Sequence, residues 1–168
     1  MVQATSIDGF TIRHADVNDV PLIIWFIKGL AEYEKLSHEV SVTEEGLREY
    51  LFGSGPVAEV LIGEYQSKPV GFALFFHNFS TFLGKPGIYL EDLFIIPEQR
   101  GMGFGKSLLS YLARLAVERG CGRLEWVVLD WNESSIKFYE SIGARSMKEW
   151  VINRLDGDEL SGLASQFK

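Results

Sequence analysis

The sequence predicts an α+β, or mixed α/β, fold built on one sheet, and three observations carry that prediction. Residues 57–65, 70–79 and 87–96 are rich in β-branched and aromatic side chains and are separated by Gln66-Ser67-Lys68-Pro69 and Leu83-Gly84-Lys85-Pro86, which reads as consecutive strands joined by turns. Helical periods precede and follow this block, so strands and helices must share a core. The 168 residues contain no internal repeat, low-complexity tract or Pro/Gly/Ser linker, so residues 1–168 are expected to form a single domain.

Each element has its own signal. Residues 10–13 alternate apolar with polar, as in a half-buried strand. Asp16 or Asn18 can cap the helix that follows, which carries Pro21 in its first turns. Its apolar stripe is Val20, Ile23, Ile24, Ile27, Leu30 and Ala31, and it fades between Tyr33 and Leu36. Residues 43–52 predict a shorter helix, capped by Thr43 and stopped by Gly53-Ser54-Gly55-Pro56. After the three strands, Phe104, Leu108, Leu112, Leu115 and Ala116 mark a helix over 103–119. Residues 123–129 predict a further strand, 133–142 a helix closed by Gly143, and 147–155 a last strand.

Composition excludes several function classes. Sixteen Lys and Arg against 23 Asp and Glu give a net charge of -7, which argues against nucleic acid and anionic membrane as partners. No apolar run approaches the roughly 18–20 residues of a bilayer span. The single Cys121 excludes an internal disulfide framework, and a reducing cytoplasm is the expected compartment. His14, His38 and His77 have no ligand spacing, so no metal is expected. No nucleophile signature is present, so covalent catalysis has no support.

Three stretches can carry chemistry. Arg100-Gly101-Met102-Gly103-Phe104-Gly105-Lys106 joins a strand to a helix; glycines let successive amides point inward at a helix N-terminus, an arrangement suited to a pyrophosphate. It fits neither the P-loop, which needs glycine at Arg100, nor the dinucleotide fingerprint, which needs it at Lys106. A tight turn with no ligand is the other reading. Glu91-Asp92 interrupts residues 88–96, where the other seven of nine residues are apolar. Strand alternation sends the two carboxylates to opposite faces, so at least one of them is expected on a covered face, where a raised pKa suits a general base. An edge strand with an ordinary solvated acid is the alternative. Asn132, Ser135 and Tyr139 are spaced to share a helix face. Tyr139 is then either an acid for a leaving thiolate or a core aromatic, and Asn132 a helix cap. Acidic residues recur at Glu32, Glu34, Glu91, Asp92, Glu125 and Glu149; if several share a cleft they select a cationic amine.

These residues together resemble the GNAT acetyltransferase superfamily, whose R/Q-x-x-G-x-G/A motif fits residues 100–105. Leu30-Ala31-Glu32-Tyr33-Glu34, Tyr89-Leu90-Glu91-Asp92-Leu93-Phe94 and Trp131-Asn132-Glu133-Ser134-Ser135-Ile136-Lys137-Phe138-Tyr139 are similar to the spermidine/spermine branch, which includes diamine and thialysine acetyltransferases. The resemblance runs from about residue 10 to residue 160. It implies a mostly antiparallel, twisted sheet of roughly six or seven strands flanked by about four helices. It implies acetyl-CoA as co-substrate, no metal, a small-molecule amine substrate, and a homodimer.

Carried over by residue, the resemblance makes Tyr139 the acid for the departing thiolate and Glu91 the acceptor of the amine proton, directly or through water. Backbone at Leu93, Phe94 and Ile95 would meet the pantetheine arm. Residues Arg100, Gly101, Met102, Gly103, Phe104, Gly105 and Lys106 would hold the pyrophosphate, with Asn132 and Ser135 helping to seat the cofactor. Tyr33, Glu34, Glu91, Glu125, Trp126, Val127 and Glu149 would border the amine. Glu140-Ser141-Ile142 replaces a basic stretch of the polyamine enzymes and the segment before Trp150 is shorter, which leaves the far end of the amine site open, Glu149 most of all. The expected reaction is direct transfer in a ternary complex. The alternatives are acetylation of protein N-termini or lysines, and a non-catalytic acyl-CoA-binding module.

Overall fold

A computed structural model describes residues 2–167, and the chain divides into two compact units, one ending at Val127 and one beginning at Val128. The first unit contains β1 (Val2–Ala4), β2 (Phe10–His14), α1 (Val20–Glu34), α2 (Glu44–Phe52), β3 (Glu59–Tyr65), β4 (Lys68–Ser80), β5 (Lys85–Ile95), α3 (Phe104–Glu118) and β6 (Leu124–Trp126). The six strands lie in sequence order, antiparallel throughout except for the parallel pair β5–β6.

Local chemistry accounts for the helix boundaries. Asp16, rather than Asn18, caps a short 3-10 turn leading into α1, accepting from the Asn18 amide at 2.8 Å. Lys35 adopts a left-handed conformation, φ 63°, and ends α1. Thr43 caps α2 by accepting from the Gly46 amide at 3.1 Å.

The sheet is covered on both faces. Ile23 and Phe26 of α1 and Leu51 of α2 pack on Val60, Ile62, Phe72 and Phe94. Phe26, absent from the expected apolar stripe, lies at the centre of this core, stacked on Phe72 at 5.4 Å. On the other face Phe104 of α3 stacks on Phe10 at 4.2 Å, and a Cβ at Gly63 would fall 3.7 Å from Leu108. Side chains of β3 therefore alternate between the two helical layers, as the strand period requires.

One irregularity positions the site. Leu74 of β4 lies opposite Asp92, but its neighbour Phe75 lies opposite Leu90. Glu91 is thus an extra residue on β5, a β-bulge that redirects the strand. Beyond it, parallel pairing with β6 stops, because only Ile88, Tyr89 and Leu90 meet Leu124, Glu125 and Trp126. The strand expected over 123–129 is for this reason only three residues long.

The second unit contains α4 (Glu133–Ser141) and α5 (Gly157–Ala164). The strand expected over 147–155 does not form: its β-prone residues have no strand to pair with inside their own unit, and an unpaired strand is not stable by itself. Strand β1 and helix α5 were outside the sequence expectation; α5 carries Asp158 and Glu159 in its first turn, where they suit the positive end of its dipole.

Candidate functional site

The bulge lies below the last turns of α1. Gly29 lets the helix approach closely, since a Cβ there would sit 3.0 Å from Phe94 Cζ. A cleft of about 460 Å³ results, in which Glu34, Glu39, Glu91 and Asp92 are set among Ile27, Leu30, Leu36 and Val40. Glu91 is exposed, whereas Asp92 is the covered carboxylate. Burial, then repulsion from Glu91 and Glu34, pushes Asp92 up to about 7. Burial also raises Glu34 above the usual carboxylate range. An acidic cleft with apolar walls suits an alkylammonium, whose methylenes meet the walls and whose charge meets the carboxylates. Asp92 can exchange a proton near neutral pH.

Among the described residues, β5 past the bulge has a paired strand on one side only. The Ile96 amide donates to the Val70 carbonyl at 3.0 Å, so by alternation the amides of Leu93 and Ile95 point to the open edge and that of Phe94 to β4. The Phe94 side chain is in the core. Of the three, Leu93 and Ile95 offer backbone to a ligand, and Phe94 offers neither backbone nor side chain.

Between β5 and α3 the chain turns through Gly101, φ 79°, and Gly103, φ 85°, left-handed conformations that favour glycine. Among the described residues the amides of Gly101, Met102, Gly103, Phe104, Gly105 and Lys106 donate to no protein acceptor; the first bonded amide is that of Ser107, to the Gly103 carbonyl at 3.0 Å. Six successive free amides at the start of a 15-residue helix form an anion cradle. This fits the pyrophosphate of acetyl-CoA, with Lys106 exposed beside it. The Phe104 ring is buried against Phe10, so only its amide is available. Arg100 turns elsewhere. Its Nε donates to the Ile95 carbonyl at 2.9 Å, and its guanidinium lies 4.3 Å over the Tyr33 ring.

The structure does not gather every expected amine-site residue into the cleft of the first unit. Glu125 accepts from Asn78 Nδ2 at 2.8 Å and forms an ion pair with Arg123 at the same distance, and it does not line the cleft. Trp126 ends β6 opposite Leu90, and Val127 follows it, exposed. In the second unit Asn132 caps α4, accepting from the Ser135 amide at 3.3 Å. Tyr139 stands one turn further along, its ring 5.3 Å from Phe138, and its carbonyl accepts from Ile142 and Ala144 as the helix ends. Glu149 is exposed, in the turn closed by the Trp150 amide on the Met147 carbonyl. Sequence reasoning missed Glu39, whose loop carries no periodic signal. It also missed the Arg100–Tyr33 stack, which joins residues 67 positions apart. Among the described residues no group of three or more His, Cys, Asp or Glu is arranged to hold a metal ion, and no helix is long and apolar enough to cross a membrane.

A mixed sheet that opens beside a bulge, followed by a glycine-rich anion cradle and flanked by an acidic cleft, suits a protein that brings an anionic carrier beside a cationic amine. The chain belongs to the acetyltransferase (GNAT) family, whose model matches residues 27–144, and it is an N-acetyltransferase. It is 37% identical over 166 residues to thialysine N-epsilon-acetyltransferase of Bos taurus, covering 92% of this chain and 97% of that one. It is 35% identical over 197 residues to L-ornithine N5-acetyltransferase of Arabidopsis thaliana, covering 90% and 86%. An integron cassette protein from V. cholerae has the same fold, with a TM-score of 0.78 and 29% identity over 94% of this chain and 99% of that one.

Proposed function

We propose that this enzyme transfers the acetyl group of acetyl-CoA to a primary amine of a small cationic substrate, a polyamine, a diamine or a thialysine-like amino acid. The observation that carries this reading is the cleft in which Glu34, Glu39, Glu91 and Asp92 converge beside the open edge of β5. Relatives named for thialysine and ornithine support the same substrate class.

In this reading the amides of residues 101–106 hold the pyrophosphate, Leu93 and Ile95 pair with the pantetheine arm, and Asn132 and Ser135 help to seat the cofactor. Ionised Asp92 and Glu34 draw in the ammonium group. Glu91, exposed at the bulge, takes the proton from the amine, directly or through water, because an alkylammonium with a pKa near 10.4 is not nucleophilic at pH 7. The neutral amine attacks the thioester carbonyl, and an amide at the open edge of β5 stabilises the oxyanion. Tyr139 returns a proton to the departing thiolate. No acyl-enzyme forms. The proposal includes one catalytic domain spanning the chain, a homodimer and a cytoplasmic location.

The test is CoA release measured across spermidine, putrescine, thialysine, lysine and short peptides. Release with a small diamine, polyamine or thialysine supports the reading. Release with peptides alone, or with none of these, overturns it.

A further inference from the structure

Arg100 belongs by sequence to the cofactor loop, yet its side chain is committed in a different direction. Nε donates to the Ile95 carbonyl at 2.9 Å, at the open edge of β5. The flat face of the guanidinium lies 4.3 Å over the Tyr33 ring and 5.5 Å from that of Phe94. Tyr33 directly precedes Glu34, which lines the acidic cleft, and it packs against the core of the first unit. Among the described residues neither terminal nitrogen of Arg100 has a protein acceptor. One planar cation therefore touches β5 through Nε and the last turn of α1 through its face.

We propose that Arg100 is a positioning residue that ties the amine cleft to the cofactor edge, holding Tyr33 and thereby Glu34 in place. This rests on the small-amine reading above and adds a coupling between its two halves. Lysine cannot replace arginine in such a role: an ammonium satisfies a phosphate, but it has neither the planar face that stacks on a ring nor a donor at the Nε position. A residue that served only as a counter-charge would tolerate that change.

The experiment compares steady-state KM for the amine and for acetyl-CoA in the wild type, Arg100→Lys, Tyr33→Leu, Tyr33→Phe and the Arg100→Lys/Tyr33→Leu double variant. Arg100→Lys and Tyr33→Leu are each expected to raise the amine KM roughly fivefold, the scale of a partly desolvated cation–π contact. The double variant is expected to be no worse than either single one, because both remove the same tether. Tyr33→Phe keeps the ring face and is expected to lose less than a third as much. An effect of Arg100→Lys confined to the acetyl-CoA KM, or additive effects in the double variant, would overturn the proposal.

A readout independent of turnover separates this from failure of the substrate assignment. In the free wild-type protein the Arg100 Nε–H resonance should be protected from exchange, and Tyr33→Leu should remove that protection. An unprotected Nε–H in the wild type overturns the tether whichever amines are accepted. A wild type that accepts no small amine but keeps a protected Nε–H refutes the substrate reading instead.

Discussion

Glu91 and Asp92 are consecutive residues on opposite sides of a register shift: Asp92 lies opposite Leu74, while Glu91 has no residue opposite it on β4. Glu91 is consequently exposed at the bulge and Asp92 is covered, with Glu34 near enough to raise its pKa further. Two adjacent carboxylates thereby meet different surroundings, and Asp92 is the one placed to change charge near neutrality.

This difference predicts a pH-dependent amine affinity. Asp92 is held at about 7 in the folded protein, so below pH 7 it is neutral and attracts a cation weakly, and above pH 7 it is charged. The amine KM should fall as pH rises from 6 to 8, and Asp92→Asn should flatten the profile at the high-KM end. Steady-state kinetics in overlapping buffers provides the check. A wild-type profile flat across that interval would exclude Asp92 from binding the ammonium.

Tyr139→Phe should lower turnover by about 10²-fold, within the range for a lost general acid. CoA affinity measured by calorimetry should stay within about twofold, since the ring is retained. Unchanged turnover would remove Tyr139 from the acid role.

Gly103 adopts φ 85° at the start of α3, and a Cβ there would lie 3.4 Å from Ile7. Gly103→Ala should destabilise the fold by about 1 kcal/mol through the left-handed conformation. It should also raise the acetyl-CoA KM roughly tenfold by distorting the amide cradle, with little change in the amine KM. Denaturant melts and the two KM values test both effects; an equal rise in both KM values would contradict the assignment of these amides to the cofactor.

Arg13 donates to both carboxylate oxygens of Asp19, at 2.6 and 2.8 Å, and to Glu64 at 2.9 Å, tying β2 to β3 and to the entry of α1. The guanidinium holds Asp19 below its usual pKa. Asp19 therefore contributes stability that is complete above its unfolded pKa near 3.8 and is lost as pH falls through the lower folded value. Arg13→Ala should cost roughly 2 kcal/mol at pH 7 and flatten the acid limb of the stability curve. Urea melts between pH 2.5 and 7 would reveal a persisting limb if Asp19 does not carry it.

Elements with a local signal were legible in the sequence. The periods behind α1, α2, α3 and α4, the cap at Thr43 and the turns bounding β3, β4 and β5 all depend on residues within a few positions of one another. The conformation of the glycine run was legible for the same reason: left-handed backbone at Gly101 and Gly103 and the free amides between them follow from the local sequence. The run at 147–155 misled because a strand exists only with a neighbour to bond to, and local β-propensity does not supply one.

By itself, then, the sequence determined an acidic chain with a mixed sheet, a glycine loop before a long helix, and two adjacent carboxylates in an apolar strand. Tertiary structure alone decided which carboxylate is covered, because a bulge moves one residue out of register and alternation cannot locate a bulge. It alone assembled Glu34, Glu39, Glu91 and Asp92 into one cleft and engaged Glu125 with Asn78 and Arg123. It alone brought Arg100 onto Tyr33. Each of these depends on the packing of α1 against β5 or on pairing between distant strands, and distance along the chain carries no record of either.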